Sequence, residues 1–262
     1  MKILAIGDAV GTAAAEFLEQ NLWKIRKKLG ADFVIANCEN VCEIHGLSSE
    51  HAELLLRGGV DVITSGNHIW SRRDIYQTLD DNERILRPSN YPQQNPGKGH
   101  TIVDASGYRM LCINVQGTVF LEPLANPFLT VDKILREEEG RYDFAILDVH
   151  AEATSEKIAM GYYFDGRINA IFGTHTHVQT SDEKILPLGT GYITDLGMTG
   201  PENGVLGASK EPVIAKFLTQ MPQRFSVADG ETVMYGAMFE LDTAGRRITK
   251  VERVRLPASE MR

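Results

Sequence analysis

The chain has 262 residues, of which 43% are hydrophobic, so it is long enough to bury a substantial core without metal ions or disulfide bonds merely to fold. Its 35 acidic residues outnumber its 27 basic ones and give a net charge of -8, which argues against an extended nucleic-acid binder or a membrane-surface binder. No run approaches the roughly 20 apolar residues that span a bilayer, and the N-terminus lacks a signal-peptide pattern, so we predict a cytoplasmic protein.

Apolar runs alternate with amphipathic stretches from the start of the chain. The pattern predicts strands over 2–8, 32–40 and 60–68, separated by helices over 12–29 and near 48–58. Further strands are predicted over 101–106, 108–115, 142–150, 168–175 and 191–196, before a closing hairpin with its turn at 243–245. We therefore predict a mixed α/β protein with a central sheet, formed by one domain over residues 1–262.

Three segments rich in proline, glycine or asparagine are predicted to be active-site loops: 84–100, 116–130 and 197–209. Polar and aromatic residues in and beside the first two are suited to contact a base or a ribose, and are equally typical of solvated loops. These residues are Arg87, Asn90, Asn114, Gln116, Asn126 and Phe128.

The three cysteines are Cys38, Cys42 and Cys112, and none forms a CxxC pair. An odd number in a chain of this size predicts no disulfide framework. Cys38 and Cys112 lie inside apolar runs, so we expect both to be small core residues.

Side chains that can bind metal or transfer protons follow five of the predicted strands. They are Asp8, Glu39, Asn40, Asn67, His68, His150, His175 and His177. In an α/β sheet, ligands bind beyond the carboxyl ends of the strands, so residues distant in sequence meet there. A mixed nitrogen and oxygen ligand set is typical of manganese, iron or zinc.

Each of these residues also has an ordinary structural interpretation. Asp8 is suited to cap a helix, Asn67 and His68 to form a turn, and His150 to be a buried imidazole with a hydrogen-bond partner. Glu39 is harder to explain in this way, because a carboxylate directly after an apolar strand needs a partner or solvent.

The His175-x-His177 pair is the most specific single element, because two imidazoles beyond a strand can serve one metal or two adjacent ones. Its occurrence together with the other strand-end residues makes a two-metal hydrolase the leading hypothesis.

The order of these motifs resembles that of the calcineurin-like metallophosphoesterases. Three features depart from that pattern. Val10 stands where the superfamily places a metal-binding histidine, Glu39 stands where it places a bridging aspartate, and the last motif reads GTHTH.

The departures match the YmdB-like family of phosphodiesterases, which the chain resembles from end to end. The shared strings are IGDAVG, ITSGNHIW, RPSNYP, HAEATSEK, GTHTHVQTSDE and DLGMTGP. The resemblance implies a calcineurin-like metallophosphoesterase fold, a β-sheet sandwich flanked by helices. It also implies two divalent or trivalent transition-metal ions, with iron expected and manganese or zinc as alternatives. The implied activity is hydrolysis of 2',3'-cyclic nucleotides, with weaker activity on other phosphodiesters.

Carried over by position, the resemblance also implies the ligands. The first metal would be held by Asp8, Glu39, Asn40 and His177, and the second by Glu39, Asn67, His150 and His175. Asn40 would replace the ligand lost at Val10. His68 would be the catalytic histidine, which either protonates the leaving ribose oxygen or stabilises its charge while a hydroxide that bridges the metals attacks phosphorus in line. Asp148 and Glu152 either hydrogen-bond ligand imidazoles or are ordinary strand-end acids.

Two other functions stay open at this point. One is a dinuclear phosphomonoesterase, and the other is a non-catalytic regulatory protein that binds metal and nucleotide. An amidohydrolase is disfavoured, because that class places its HxH motif after an early strand. We expect the partners to be a small nucleotide phosphodiester and further copies of the chain in a homo-oligomer, without extended nucleic acid and without a membrane.

Overall fold

The computed structural model describes residues 1–261, which contain two β-sheets and six α-helices. The strands are β1 (Lys2–Ile6), β2 (Asp8–Ala9), β3 (Phe33–Asn37), β4 (Val62–Thr64), β5 (His100–Ala105), β6 (Tyr108–Gln116), β7 (Phe144–His150), β8 (Ala170–Thr174), β9 (Lys184–Ile185), β10 (Gly191–Ile193), β11 (Met198–Pro201), β12 (Thr232–Asp242) and β13 (Arg247–Pro257). The helices are α1 (Thr12–Leu29), α2 (Ser49–Gly58), α3 (Ile75–Asp81), α4 (Pro127–Glu137), α5 (Thr154–Tyr163) and α6 (Lys210–Thr219), with 3-10 turns at Ile69–Ser71 and Ala258–Met261.

The second sheet is formed by the consecutive strands β5 to β10 from the middle of the chain, and the first by strands from both ends of it. The first sheet has the order β2-β11-β12-β1-β3-β4, with β13 paired to β12, and the second has the order β5-β6-β7-β8-β10-β9. Strands β1, β3 and β4 run parallel to one another, and so do β6, β7, β8 and β10. Parallel strands present their carboxyl ends along one edge of each sheet, which is where strand-end side chains gather.

The core lies in three layers between and outside the sheets. In β1, Ile3 and Ala5 pack between the sheets in the cluster that contains Phe172 of β8. Leu4 and Ile6 point the other way, into the cluster that contains residues of α1 and α2. The other face of the second sheet packs with α4 and α5. Side chains alternate between faces along a strand, so nearly continuous apolar runs predict a sheet that is covered on both sides. The sandwich flanked by helices is confirmed.

The predicted elements match the structure best where local signals are strong. The helix over 12–29 is α1, which ends at Gly30 in the left-handed conformation. The closing hairpin is β12 and β13. Residues 84–99 lie outside helices and strands, as predicted. All three cysteines are buried and free.

Two of the predicted loops contain regular structure. In 116–130, α4 begins at Pro127, because the Asn126 side chain caps it by accepting a hydrogen bond from the backbone N–H of Leu129. In 197–209, Met198–Pro201 forms β11. Within residues 1–261, no helix has the length and apolar character needed to cross a membrane.

Candidate metal centre

The structure brings all eight predicted site residues to one region beyond the strand ends. Asp8 lies in β2, Glu39 and Asn40 follow β3, Asn67 and His68 follow β4, His150 ends β7, and His175 and His177 follow β8. Asp8, Glu39 and His150 are fully buried. The site is built from both sheets, because β2, β3 and β4 belong to the first sheet and β7 and β8 belong to the second.

The Nε2 atom of His150 is the centre of the first group of atoms. It lies 2.9 Å from Oε1 of Glu39, 3.1 Å from Oδ1 of Asn67 and 3.1 Å from Nδ1 of His175. The ligand atoms of Glu39, His150 and His175 all lie within 4.8 Å of one another. Four potential metal-binding atoms therefore converge on one point. They belong to the four residues predicted to hold the second metal.

Buried neighbours fix which nitrogen of His150 carries hydrogen. Thr174 Oγ1 donates to Oδ1 of Asp148 at 2.8 Å and also lies 2.9 Å from Nδ1 of His150. Because the hydroxyl has a single hydrogen and gives it to the carboxylate, it accepts from Nδ1–H of His150. Nε2 of His150 is thus the nitrogen available for a metal. Asp148 supports the imidazole through Thr174, rather than by a direct hydrogen bond.

His175 is oriented in the same way by Glu152. Nε2 of His175 lies 3.0 Å from Oε2 of Glu152, so this nitrogen carries the hydrogen and Nδ1 keeps its lone pair for the cluster. Burial and the neighbouring His150 lower the pKa of His175 to about 3, which keeps the imidazole neutral and able to bind a metal. A carboxylate that holds a ligand imidazole is a common outer contact of metal sites.

A second group of atoms surrounds His177. Its Nδ1 donates to the backbone carbonyl of Leu206 at 3.2 Å, so Nε2 is free to face Oδ1 of Asp8 at 3.7 Å and the amide of Asn40 at 3.3 Å. Within residues 1–261, neither Oδ1 of Asp8 nor Oδ1 of Asn40 has a hydrogen-bond partner, although both are buried. Burial raises the pKa of Asp8, an effect that His177 and His150 oppose.

Unpaired buried oxygens are costly unless a cation or a donor compensates them. The two groups of atoms supply carboxylate, amide and imidazole ligands, and one ring nitrogen of each of His150, His175 and His177 gives its hydrogen to a partner outside the centre. This donor set fits transition-metal ions such as manganese, iron or zinc.

Glu39 contacts both His150, in the first group of atoms, and His68, the predicted catalytic histidine. Burial opposes ionisation of Glu39, but the charge of His150 and hydrogen bonds from His150 and from the backbone N–H of His68 hold its pKa at about 2. In turn, burial lowers the pKa of His150, and the charges of Glu39 and Asp8 reverse that effect and raise it to about 9. Without metal, a proton on Nε2 of His150 therefore provides the positive charge that Glu39 requires.

The imidazole of His68 stacks on His45, with ring centroids 4.0 Å apart. Burial lowers the pKa of His68, with Glu39 opposing the effect. Sequence patterns gave no signal for His45, because it lies in the irregular stretch between β3 and α2.

The loop that carries His175 and His177 has strained backbone. Both residues have positive φ, 96° and 64°, which non-glycine residues rarely adopt. Thr176 between them is anchored by Asp195, whose Oδ2 accepts from its backbone N–H at 3.2 Å and from its hydroxyl at 2.7 Å. The same oxygen accepts from Nζ of Lys157 at 2.7 Å, in an ion pair that is almost completely buried. Asp195 and Lys157 were not predicted as site residues.

Position 66, directly before Asn67, has room only for glycine. A Cβ atom at this position would lie 2.1 Å from Cδ2 of the His150 ring. Any side chain at residue 66 must therefore displace His150, which has no free space because it is fully buried.

Most of the residues considered for base or ribose contacts have structural roles elsewhere. Asn90 donates to the carbonyls of Gln116 and Ala125 at 2.7 and 3.0 Å, and Arg87 donates to the carbonyl of Pro88 at 2.9 Å. The predicted loop over 84–100 lines a separate cavity of about 600 Å³ together with residues 123–137. None of the eight candidate site residues lines that cavity.

Comparison with known proteins supports a relationship over nearly the whole chain. The family model described as YmdB-like protein matches residues 4–254. A Bacillus subtilis protein named 2',3'-cyclic-nucleotide 2'-phosphodiesterase is 44% identical over 97% of this chain and 96% of its own length.

Two crystal structures have the same fold. A hypothetical protein from Thermus thermophilus is 38% identical with a TM-score of 0.91, over 98% of this chain and 99% of that one. A structure titled as a novel phosphatase from Mycoplasma pneumoniae is 34% identical with a TM-score of 0.92, over 98% of this chain and 93% of that one. These similarities confirm the predicted fold class.

Proposed function

The chain belongs to the YmdB-like protein family, and from that membership and the geometry of the site we propose that it is a metal-dependent phosphodiesterase that hydrolyses 2',3'-cyclic nucleotides. The observation that carries the proposal is the convergence of Glu39, Asn67 and His175 on Nε2 of His150, with the outer hydrogens directed to other partners. The name of the Bacillus subtilis relative supplies the substrate class.

The proposed ligand sets follow the two groups of atoms in the structure. Asp8, Asn40 and His177 would hold one ion, Asn67, His150 and His175 would hold the other, and Glu39 would contribute to both. We propose iron, with manganese and zinc as alternatives, because all three accept imidazole and oxygen ligands. When bound, such ions lower the pKa of a water molecule and stabilise negative charge on the phosphoryl oxygens.

The remaining chemistry belongs to residues of the chain. His68 is held at the site by its backbone hydrogen bond to Glu39, 2.8 Å long, and by stacking on His45. Its imidazole, once protonated, donates a proton to the ribose oxygen that leaves as the cyclic diester opens. A nearby phosphate anion favours the protonated imidazole, so bound substrate increases the fraction of His68 that can act as general acid.

The proposal is tested by measuring metal content and hydrolysis together on wild type and Glu39→Gln. Substrates are 2',3'-cyclic AMP and bis-p-nitrophenyl phosphate, and metal is measured by elemental analysis. Glu53→Gln is the matched control, because Glu53 is an exposed carboxylate on α2. We expect about two transition-metal ions per chain in wild type and Glu53→Gln, and loss of both metal and turnover in Glu39→Gln.

Other outcomes separate the alternatives. A protein that binds metal and nucleotide without turning over either substrate would be a regulatory binding protein. Hydrolysis of nucleoside monophosphates in preference to cyclic diesters would identify a phosphomonoesterase. Wild-type protein that neither contains metal nor gains activity when manganese or iron is added would overturn the proposal.

A further inference from the structure

A cavity of about 300 Å³ opens directly onto the candidate metal centre and has two chemically different sides. Its floor is polar and consists of Glu39, Asn40, His45, His68, His175 and His177. Its apolar lining, here called the apolar wall, consists of Val205, Leu206, Ala208, Val213, Phe217 and Phe225, beside Ile44. A ligand that fills the cavity must combine a group that suits the floor with an apolar group that suits the wall.

The apolar wall is fixed relative to the metal centre by backbone hydrogen bonds. The carbonyl of Leu206 accepts from Nδ1 of His177 at 3.2 Å, so the wall begins at a candidate ligand. Backbone N–H groups of Ala228 and Ser209 donate to Gly207 and Ser226 at 2.8 and 2.9 Å. These bonds tie the segment after Phe225 to the segment before α6. The ring of Phe225 is therefore positioned by the fold rather than by a free loop.

The lining of the cavity offers little positive charge to a ligand. Among the described residues that line the cavity, Lys216 is the only lysine or arginine, and its Nζ lies 5.2 Å from the ring centroid of Phe225. Phe217 is 78% exposed, which is unusual for a phenylalanine next to a polar site. An exposed aromatic ring at the rim of a functional cavity is suited to contact the planar face of a ligand.

We propose that the apolar wall is a nucleobase subsite, in which Phe217 and Phe225 contact the base while the phosphodiester lies on the polar floor. This inference rests on the proposed phosphodiesterase function and adds how the enzyme selects its substrate. Planar bases of every kind offer a π-face, so the subsite distinguishes nucleotides from base-free phosphodiesters more strongly than one base from another.

The test compares two cyclic phosphates with the same reacting bond. One is 2',3'-cyclic AMP, and the other is methyl ribofuranoside 2',3'-cyclic phosphate, which has no base. We expect wild type to favour the nucleotide in kcat/KM by at least about fivefold, since stacking of one base on an aromatic side chain contributes this much or more. Phe217→Ala and Phe225→Leu should reduce that ratio severalfold, mainly through KM for the nucleotide. Phe225→Leu keeps apolar volume, so it protects the result against misfolding.

Leu218→Ala is the matched control, because Leu218 is 80% exposed on α6 and does not line the cavity. The ratio in this variant should equal that of wild type. If Leu218→Ala lowers the ratio as much as Phe217→Ala does, this face of α6 acts as a contact between copies of the chain and the subsite is wrong. Equal losses on both substrates in the phenylalanine variants also overturn it.

Failure of the subsite and failure of the proposed function give different results. If wild type hydrolyses both cyclic phosphates equally well, the function stands and the base subsite is refuted. If wild type hydrolyses neither after iron or manganese is supplied, the phosphodiesterase proposal fails and the subsite fails with it.

Discussion

Asp195→Asn tests the structural support of the candidate metal centre without changing a proposed ligand. Both carboxylate oxygens of Asp195 accept hydrogen bonds, Oδ2 from Lys157 and Thr176 and Oδ1 from the backbone N–H of Gly197 at 2.8 Å. An asparagine amide can place only one oxygen among these donors, so its NH₂ group must face another donor. The substitution therefore leaves Lys157 with a buried and uncompensated charge or breaks the anchor of Thr176.

The expected magnitude follows from burial. Asp195 and the Lys157 side chain are each at most 1% exposed, and removal of one partner of a buried ion pair costs about 3–5 kcal/mol. For a chain of this size that corresponds to a drop in Tm of at least roughly 6 °C. The neighbouring His175 and His177 hold strained backbone, which costs about 1–3 kcal/mol per residue and persists only where surrounding contacts enforce it. We therefore expect weaker metal binding in addition to lower stability.

The assay combines denaturant unfolding of the chelated protein with metal affinity from competition against a chelator. The double variant Lys157→Met with Asp195→Asn separates the two effects. It removes the uncompensated charge, so part of the stability should return, but Thr176 stays without its carboxylate and metal affinity should remain low. The reasoning is refuted if Asp195→Asn unfolds at the wild-type midpoint and binds metal with wild-type affinity.

Three further predictions concern the site itself. Gly66→Ala should displace the His150 ring, which the new Cβ would approach to 2.1 Å, and so lower metal content and cost about 1–3 kcal/mol of stability; wild-type metal content and midpoint would contradict this. His68→Ala should keep metal but lose about 10²–10⁴-fold in kcat, measured beside elemental analysis; equal loss of metal would make His68 a ligand. In chelated protein, the pKa of His150 is raised to about 9 and that of Glu39 is lowered to about 2. Both groups therefore stabilise the fold fully between about pH 4.5 and 6.5, their ordinary pKa values. The contribution of His150 is lost as pH rises through 9, and the contribution of Glu39 is lost as pH falls through 2. Metal must displace the His150 proton, so calorimetry in buffers of different ionisation enthalpy should show proton release below pH 9, and its absence would count against His150 as a ligand.

The positions of the candidate ligands could be predicted because a simple rule governs them. Apolar strands of a parallel sheet end along one edge, so Asp8, Glu39 and His150 come together although they lie far apart in sequence. Helix α1 could be predicted because its apolar spacing is regular and Gly30 ends it. The start of α4 was not predicted, because residues 116–130 were assigned to a loop, although Asn126 followed by Pro127 is a common helix beginning.

Other parts of the site depend on contacts that no local pattern contains. Lys157 and Asp195 are 38 residues apart, and only the packing of α5 against the end of the second sheet brings them together. His45 lies in an irregular segment without periodicity, so its stacking on His68 follows from the tertiary fold. The same holds for the apolar wall, because a helix with exposed apolar residues is indistinguishable in sequence from one that is buried.

The charge balance of the centre links substrate binding to metal occupancy. Of the proposed ligands only Asp8 and Glu39 are carboxylates, while the others are neutral amides and imidazoles. Two divalent ions would bring four positive charges against two negative ones, which leaves an excess that suits an anionic phosphodiester. Lys216 is the only lysine or arginine among the described residues that line the cavity, and its Nζ lies 5.2 Å from the ring centroid of Phe225 in the apolar wall. The chain therefore has little charge of its own with which to hold phosphate. We therefore predict that the proposed nucleobase subsite supplies most of the affinity of the metal-free protein for nucleotide, whereas the metal-loaded protein gains the phosphate interaction. Chelation should then weaken binding of base-free phosphodiesters more than binding of nucleotides.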